Sequence, residues 1–268
     1  MPVKSALKTV ARVAGVERKH AVAARMYCER HALATFGRSR RRKGGRILAY
    51  HTVGQPEWGL NDVSTTQFRR QIDLAHSLGY RFVAASEIAR TGGAPNELAI
   101  TFDDGMKSVF THAAPILKEY GLPYAFFPVT DWADKRVDWI ADLVMTWDEI
   151  GQLLSEGAEV GSHSATHPDF GKIGLTQMTD ELGRSRRKIQ ERLGFAPTTF
   201  AIPLGQSMNW TPVAAKAATE AGYETIYAQA EETRPADTIP RTFVSCFDGD
   251  RIFKALLKGK YDSWEEWS

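Results

Sequence analysis

The 268-residue sequence holds only two cysteines, Cys28 and Cys246. Far apart in the chain, they supply neither a disulfide framework nor a cysteine metal pair. No apolar run approaches the roughly 18 residues that a membrane-spanning helix needs. The first residues show no signal-peptide pattern, because Lys and Arg interrupt their apolar positions. These absences point to the cytoplasm. Acidic residues are scarce at the start: residues 1–46 carry thirteen Lys or Arg and two Glu, a charge of +11, against a total of +2. The remaining body is therefore acidic, and nucleic acid is not the partner this balance suggests. No aromatic residue interleaves with the basic run RSRRRKGG over 38–45, which argues against a nucleic-acid arm.

The length fits one α/β domain with a short extension, divided here as a basic helical extension over 1–45 and a main domain over 46–268. Residues 2–35 read as helical, with Val3, Leu7, Val10 and Ala14 on one face and Lys4, Lys8 and Arg12 beside it. Residues 38–45 read as a flexible basic joint. Two readings stand for this leader. One is an interfacial helix with a polybasic patch on anionic lipid, at the inner face of a membrane. The other is an extra helix packed on the domain.

In the main body, short apolar runs alternate with amphipathic segments. RILAYHTVG is the first strand and delivers His51 near its end. A helix capped by Thr65 or Thr66 buries Phe68, Ile72, Ala75 and Leu78. LAITF, YAFF, AEVG, TTFAI, YETIY and IPRTFV read as further strands, and Thr146 with Glu149 forms a capping box. DRIFKALLK is a closing helix, and the Trp-rich tail docks back. Such alternation implies a mostly parallel sheet closed into a distorted barrel, whose reactive residues sit at the C-terminal strand ends. His51, Asp103, Asp104, Asp131, His163 and His167 all fall on that rim.

Two stretches carry chemistry. TFDDG ends a buried strand in adjacent carboxylates, Asp103 and Asp104, which are costly there unless paired. GSHSATHP places His163 and His167 at i, i+4, so both can reach one ion. Two imidazoles and one carboxylate suit Zn²⁺, Fe²⁺, Ni²⁺ or Co²⁺ and leave coordination positions open, as a catalytic site requires. One Asp can bind the ion while the other stays free as a base. Read singly, TFDDG is as readily a solvated turn that caps the next helix, and HSATH has a less favoured reading as a polar loop with a Pro stop.

Together the motifs resemble those of the polysaccharide deacetylases of the NodB-homology type, carbohydrate esterase family 4. The match runs through LAYHTVG, LGYRFV, TFDDG, LPYAFF, MTWDEI and EVGSHSATHP, covering about residues 47–258. The branch that begins with a Tyr-His strand, similar to poly-N-acetylglucosamine deacetylases, is the nearest in phrasing. The resemblance implies a distorted (β/α)7 barrel and a metal-dependent hydrolase of linear amide C–N bonds. It implies a divalent ion, Zn²⁺ first, on Asp104, His163 and His167, with Asp103 as general base. The substrate implied is an N-acetylated amino sugar in a glycan, oligosaccharide or lipid-linked sugar. Trp132, Trp139 and Trp210 are candidates to stack on its rings.

Two departures matter. The family's Arg-x-Pro-Tyr stretch reads Ala201-Ile202-Pro203-Leu204 here, so its Arg and Tyr side chains are missing. The Leu204 backbone N–H can still serve the oxyanion, and Arg241 is expected to replace the Arg as the partner of Asp103. No histidine follows His167, so the family's late general-acid His is absent, and His51 is the candidate for that role. The alternatives are a deformylase or O-acetyl esterase on the same site, or a catalytically silent carbohydrate-binding homologue. Oligomeric state is not encoded in any motif.

Overall fold

The computed structural model describes residues 18–265. Seven short parallel strands form the frame: β1 (Arg46–Tyr50), β2 (Glu97–Phe102), β3 (Tyr124–Phe126), β4 (Glu159–Val160), β5 (Thr199–Ala201), β6 (Thr225–Tyr227) and β7 (Thr242–Phe243). The ladder runs β7-β1-β2-β3-β4, and β5 pairs with β6. Single parallel bridges close the circuit, Ser162 to Phe200 between β4 and β5 and Tyr227 to Ile239 between β6 and the run into β7. This is the distorted (β/α)7 barrel, and the distortion lies at those two thin junctions. A short strand at Arg81–Phe82 adds to the start of β2, and the pair Thr52–Val53 and Asp62–Val63 stands outside the barrel.

The helices are α1 (Arg18–Phe36), α2 (Thr65–Ser77), α3 (Ala85–Thr91), α4 (Ala114–Tyr120), α5 (Thr130–Ala133), α6 (Trp147–Ser155), α7 (Leu175–Leu193), α8 (Pro212–Ala221) and α9 (Asp250–Leu257). No helix intervenes between β6 and β7. The capping box on α6 forms as the sequence dictates. On α2 the cap is Ser64, not Thr65 or Thr66, because its hydroxyl accepts from the Gln67 N–H. Leu78 ends outside that helix and is 40% exposed, whereas Phe68, Ile72 and Ala75 are buried as expected.

Period-two alternation sorts the strand residues into two layers. Leu48, Tyr50, Ile100 and Phe102 face the helices, while Ile47, Ala99, Ala125, Ala201, Phe127 and Tyr227 form a separate interior cluster. Three alanines in that interior leave room for one long side chain. Arg241 takes it, fully buried, with its guanidinium 5.3 Å from the Phe127 ring and 5.9 Å from that of Tyr227.

The leader's described part is packed, not splayed. Arg30 is buried and paired with Asp248, over the rings of Tyr261 and Trp264. Lys260 donates to the Ala34 carbonyl and the Trp264 indole to Glu29. The run over 38–45 is tied down rather than jointed: Arg40 pairs with Glu232, and Arg42 with Glu231 at 2.7 Å and Asp262 at 3.5 Å. Arg46, at the head of β1, meets Glu231 at 3.0 Å and Asp262 at 2.9 Å. The acids lie 185 to 220 residues away, so no local pattern announces these pairs. The expected face of Val3, Leu7, Val10 and Ala14 lies outside the described residues, as does the end of the Trp-rich tail. Among the described residues no helix is long and apolar enough to cross a membrane.

Candidate metal centre

The end of β2 turns sharply into the site. Asp104 has φ +69° and Gly105 φ +75°. A Cβ on Gly105 would stand 2.9 Å from Cα of Pro128, so the DDG turn needs glycine there for space as well as conformation. Across the barrel mouth, the loop after β4 is stapled from below. Buried Glu181 of α7 accepts from the N–H groups of Ala165 (2.9 Å) and Thr166 (2.8 Å) and from the Thr166 hydroxyl (2.6 Å). Ser164 accepts from the His167 N–H at 2.9 Å. Ser164 and His167 also have positive φ, as does Leu204, so four of the six such non-glycine residues described belong to this mouth. Backbone strain of this kind persists only where the surroundings over-determine it.

The result brings Asp104, His163 and His167 together, with donor atoms within 4.8 Å of one another. Asp104 Oδ1 lies 3.5 Å from Nε2 of each histidine. Two ligands about 2.0–2.2 Å from one tetrahedral ion stand roughly 3.4 Å apart, so the spacing fits a divalent ion. The donor chemistry fits as well. Asp104 Oδ1 is buried and has no hydrogen-bond partner. His163 Nδ1 meets the Ala201 carbonyl at 2.9 Å, which leaves Nε2 as the free lone pair. Burial pushes the His163 imidazole down to about 3, and burial likewise lowers His167, so both are neutral ligands at physiological pH.

The neighbouring carboxylates are in opposite states. Burial would raise both. For Asp103 burial is the largest single influence and raises it, but the Arg241 charge and hydrogen bonds together with the neighbouring imidazoles outweigh burial and hold the carboxyl at about 2. The pair is bidentate, 2.7 Å from Nη1 to Oδ1 and 2.8 Å from Nη2 to Oδ2, and Arg241 also donates to Thr101 and to the Ala228 carbonyl. Asp104 has no such partner: burial, with Asp103 adding to it against the opposing pull of His51, raises it to about 6. An unpaired carboxylate between two neutral imidazoles is a cation site by charge as well as by distance.

His51 directly follows β1, is buried, and leaves Nδ1 without a hydrogen-bond partner. It is near enough to bear electrostatically on both Asp103 and Asp104. Leu204 is 42% exposed on the turn after β5. Asp131, expected on the rim, is taken by Arg184 at 2.6 Å. Of the three tryptophans expected in the groove, Trp132 stacks on His167 at 5.5 Å and Trp139 is 66% exposed. Trp210 is not in the groove: it is core, packed against Phe170 and Phe200 beneath α8. Sequence reasoning missed Trp58, whose indole N–H donates to Asp104 Oδ2 at 3.2 Å. It also missed Glu181, which reads as one more charge on a polar helix.

Comparison with known proteins follows the same outline. The poly-beta-1,6-N-acetyl-D-glucosamine N-deacetylase of Escherichia coli (strain K12) is 32% identical over 117 residues, 38% of this chain and 17% of that protein. The putative polysaccharide deacetylase YxkH of Bacillus subtilis (strain 168) is 24% identical over 183 residues, 66% of this chain and 62% of that protein. The chain thus spans less than two thirds of the length of either relative. In fold, it superposes on the Streptococcus pyogenes deacetylase PplD with a TM-score of 0.67 at 20% identity, covering 82% of this chain and 98% of that one. IcaB from Ammonifex degensii gives 0.67 at 23% identity, covering 81% and 98%. The polysaccharide deacetylase family profile matches residues 91–226, from just before β2 to β6, a span that holds both carboxylates and both histidines. With half its length matched and the metal-ligand cluster assembled at the barrel mouth, the chain belongs to the polysaccharide deacetylase family.

Proposed function

We propose that this chain is a metal-dependent N-deacetylase of N-acetylated amino sugars, releasing acetate and leaving a free amine. The observation that carries the reading is the pair of adjacent carboxylates in opposite electrostatic states, Asp103 on a cation and Asp104 facing two neutral imidazoles. The deacetylase names of the curated relatives supply the substrate class. Asp104, His163 and His167 would hold the ion, with Zn²⁺ the first choice for two nitrogens and one oxygen and Co²⁺, Ni²⁺ or Fe²⁺ able to fill the same donors. The ion supplies a Lewis acid that polarises the amide carbonyl and acidifies the attacking water.

The chain's own groups do the rest. Asp103, kept ionised by Arg241, accepts a proton from that water as it attacks the carbonyl carbon. Arg241 thereby fills the place of the arginine that Ala201 leaves vacant. The Leu204 N–H is the backbone donor for the developing oxyanion. His51 gives a proton to the amine nitrogen as the C–N bond breaks. Trp132 and Trp139 form an apolar wall beside the ligands on which a pyranose face can rest. Residues 46–268 make up the catalytic domain in this reading.

The test is acetate and free-amine release from a panel of N-acetylglucosamine oligosaccharides, with and without a chelator. Chelator-sensitive acetate with an equal yield of amine supports the reading. Formate release from N-formyl sugars or acetate from O-acetyl sugars alone would move the activity to those groups. No release from any substrate by a metal-loaded protein would leave a silent carbohydrate-binding homologue.

The leader carries a second proposal, peripheral attachment to anionic lipid at the cytoplasmic face, resting on the +11 charge of residues 1–46. Arg30, Arg40, Arg42 and Arg46 are already ion-paired within the fold, so the attraction would rest on the other basic residues. Salt-sensitive co-sedimentation with anionic vesicles, lost on deleting residues 1–17, is the expected result. Equal sedimentation with and without them would end the idea.

A further inference from the structure

Trp58 sits on the short Pro56–Asn61 turn, in a part of the chain that carries no metal ligand. A carboxylate has two equivalent oxygens and turns easily about its terminal bond, so a ligand Asp needs something to choose the oxygen it offers. In this site the choice is visible. Asp104 Oδ2 accepts the Trp58 indole N–H at 3.2 Å, while Oδ1 has no hydrogen-bond partner and lies 3.5 Å from both imidazole Nε2 atoms. The Ala201 carbonyl does the same for His163, engaging Nδ1 on the side away from the ligand atom.

The indole is itself held. It stacks nearly parallel on Trp139, with centroids 6.2 Å apart and planes at 8°. It meets Trp132 edge-on, and Trp132 in turn stacks on His167. Beneath it, Gln55 reaches the Leu143 carbonyl at 3.0 Å and accepts from the Ser108 N–H, tying the turn to the segment beyond Trp139 and to the helix start after the DDG turn. Trp58 is half-buried, and the acceptor its indole N–H finds is the ligand carboxylate itself.

We propose that Trp58 is a positioning residue for the metal centre: its N–H engages Asp104 Oδ2 and so presents Oδ1 to the ion. This rests on the metal-site reading above and adds to it a role for a residue outside the two motifs. Outer hydrogen bonds of this kind are worth about 10–100-fold in metal affinity. The rival role, a ring that only packs or lines the groove, depends on the indole face and not on its N–H.

Two variants separate the roles. Trp58→Phe keeps a ring against Trp139 and removes the N–H, and Trp139→Ala removes the stacked neighbour and keeps the N–H. The measurements are Co²⁺ affinity by chelator competition and the Co²⁺ visible spectrum, with the melting temperature of the metal-free protein as a folding control. The expected result is about tenfold weaker Co²⁺ binding and a shifted spectrum in Trp58→Phe, with a clearly smaller loss of affinity and a smaller spectral shift in Trp139→Ala, which loosens the indole but keeps its N–H. Parent-like affinity and spectrum in Trp58→Phe would overturn the proposal, as would equal losses in both variants or a parent that binds no Co²⁺. A parent that binds Co²⁺ and shows this pattern, yet deacetylates nothing, would sink the functional reading and leave this one standing.

Discussion

Two parts of this molecule bury arginine against carboxylate, and they differ in what is left over. Where the leader and the C-terminal segment meet the barrel, Arg30 pairs with Asp248, and Arg46 with Glu231 and Asp262. There each of these acids meets a guanidinium. At the barrel mouth Arg241 neutralises Asp103, but among the described residues no Arg or Lys reaches the adjacent Asp104, whose buried Oδ1 has no hydrogen-bond partner. Buried ion pairs by themselves say little about function, since their desolvation offsets much of the attraction. A buried anion beside two neutral imidazoles says a good deal when no Arg or Lys among the described residues pairs with it.

The largest expected effect breaks the comparison at that unpaired oxygen's partners. His163→Ala should lose most bound metal, measured by elemental analysis after dialysis, and several orders of magnitude in turnover; an unchanged metal stoichiometry would refute the ligand assignment. Next is Asp103→Asn, which should keep its metal and lose about 10²–10⁴ in kcat. Joint loss of metal and activity would reverse the roles of the two carboxylates.

Arg241→Met and Arg30→Met set the two regions side by side. Each strands a buried carboxylate, and each should cost about 3–5 kcal/mol in urea melts. Only the first should change the pH dependence of kcat/KM. The folded Asp103 sits at about 2, below the ordinary 3.8, so its pairing stabilises the protein above that range and the stabilisation is lost as pH falls towards 2. Without Arg241, burial moves Asp103 upward, and the acid limb of activity should move to higher pH. An unmoved limb would show that Arg241 is only a structural partner. The smallest effect belongs to Arg40→Ala: its pair with Glu232 is about 40% exposed, and the change should stay within about 1 kcal/mol by the same melts.

The strands, the capping box on α6 and the placement of both motifs at one rim were legible because each is written locally. Periodicity marks the strands, and TFDDG and HSATH carry their own spacing. Arg241 was legible by elimination, since a buried base needs a cation and position 201 holds none. What could not be read lies in long-range pairing. Trp58 reaches Asp104 across 46 residues. Glu181 looks like surface charge until the loop after β4 folds onto it. The basic run over 38–45 reads as flexible because its acids, Glu231, Glu232 and Asp262, come 189 to 220 residues later. Trp210 was misplaced for a related reason. An isolated Trp on a loop gives no sign of whether the core or the groove receives it, and here Phe170 and Phe200 do.

The central claim, that Asp104, His163 and His167 hold the one ion on which deacetylation depends, is tested most directly by titrating Zn²⁺ into metal-free protein while following acetate release from an N-acetylglucosamine oligosaccharide. Activity should rise from the chelated baseline in proportion to added metal and reach its plateau at one equivalent per chain. The same titration of Asp104→Asn should fail to reach that plateau. Acetate release that is full in the metal-free protein, or that ignores the loss of Asp104, would contradict the account.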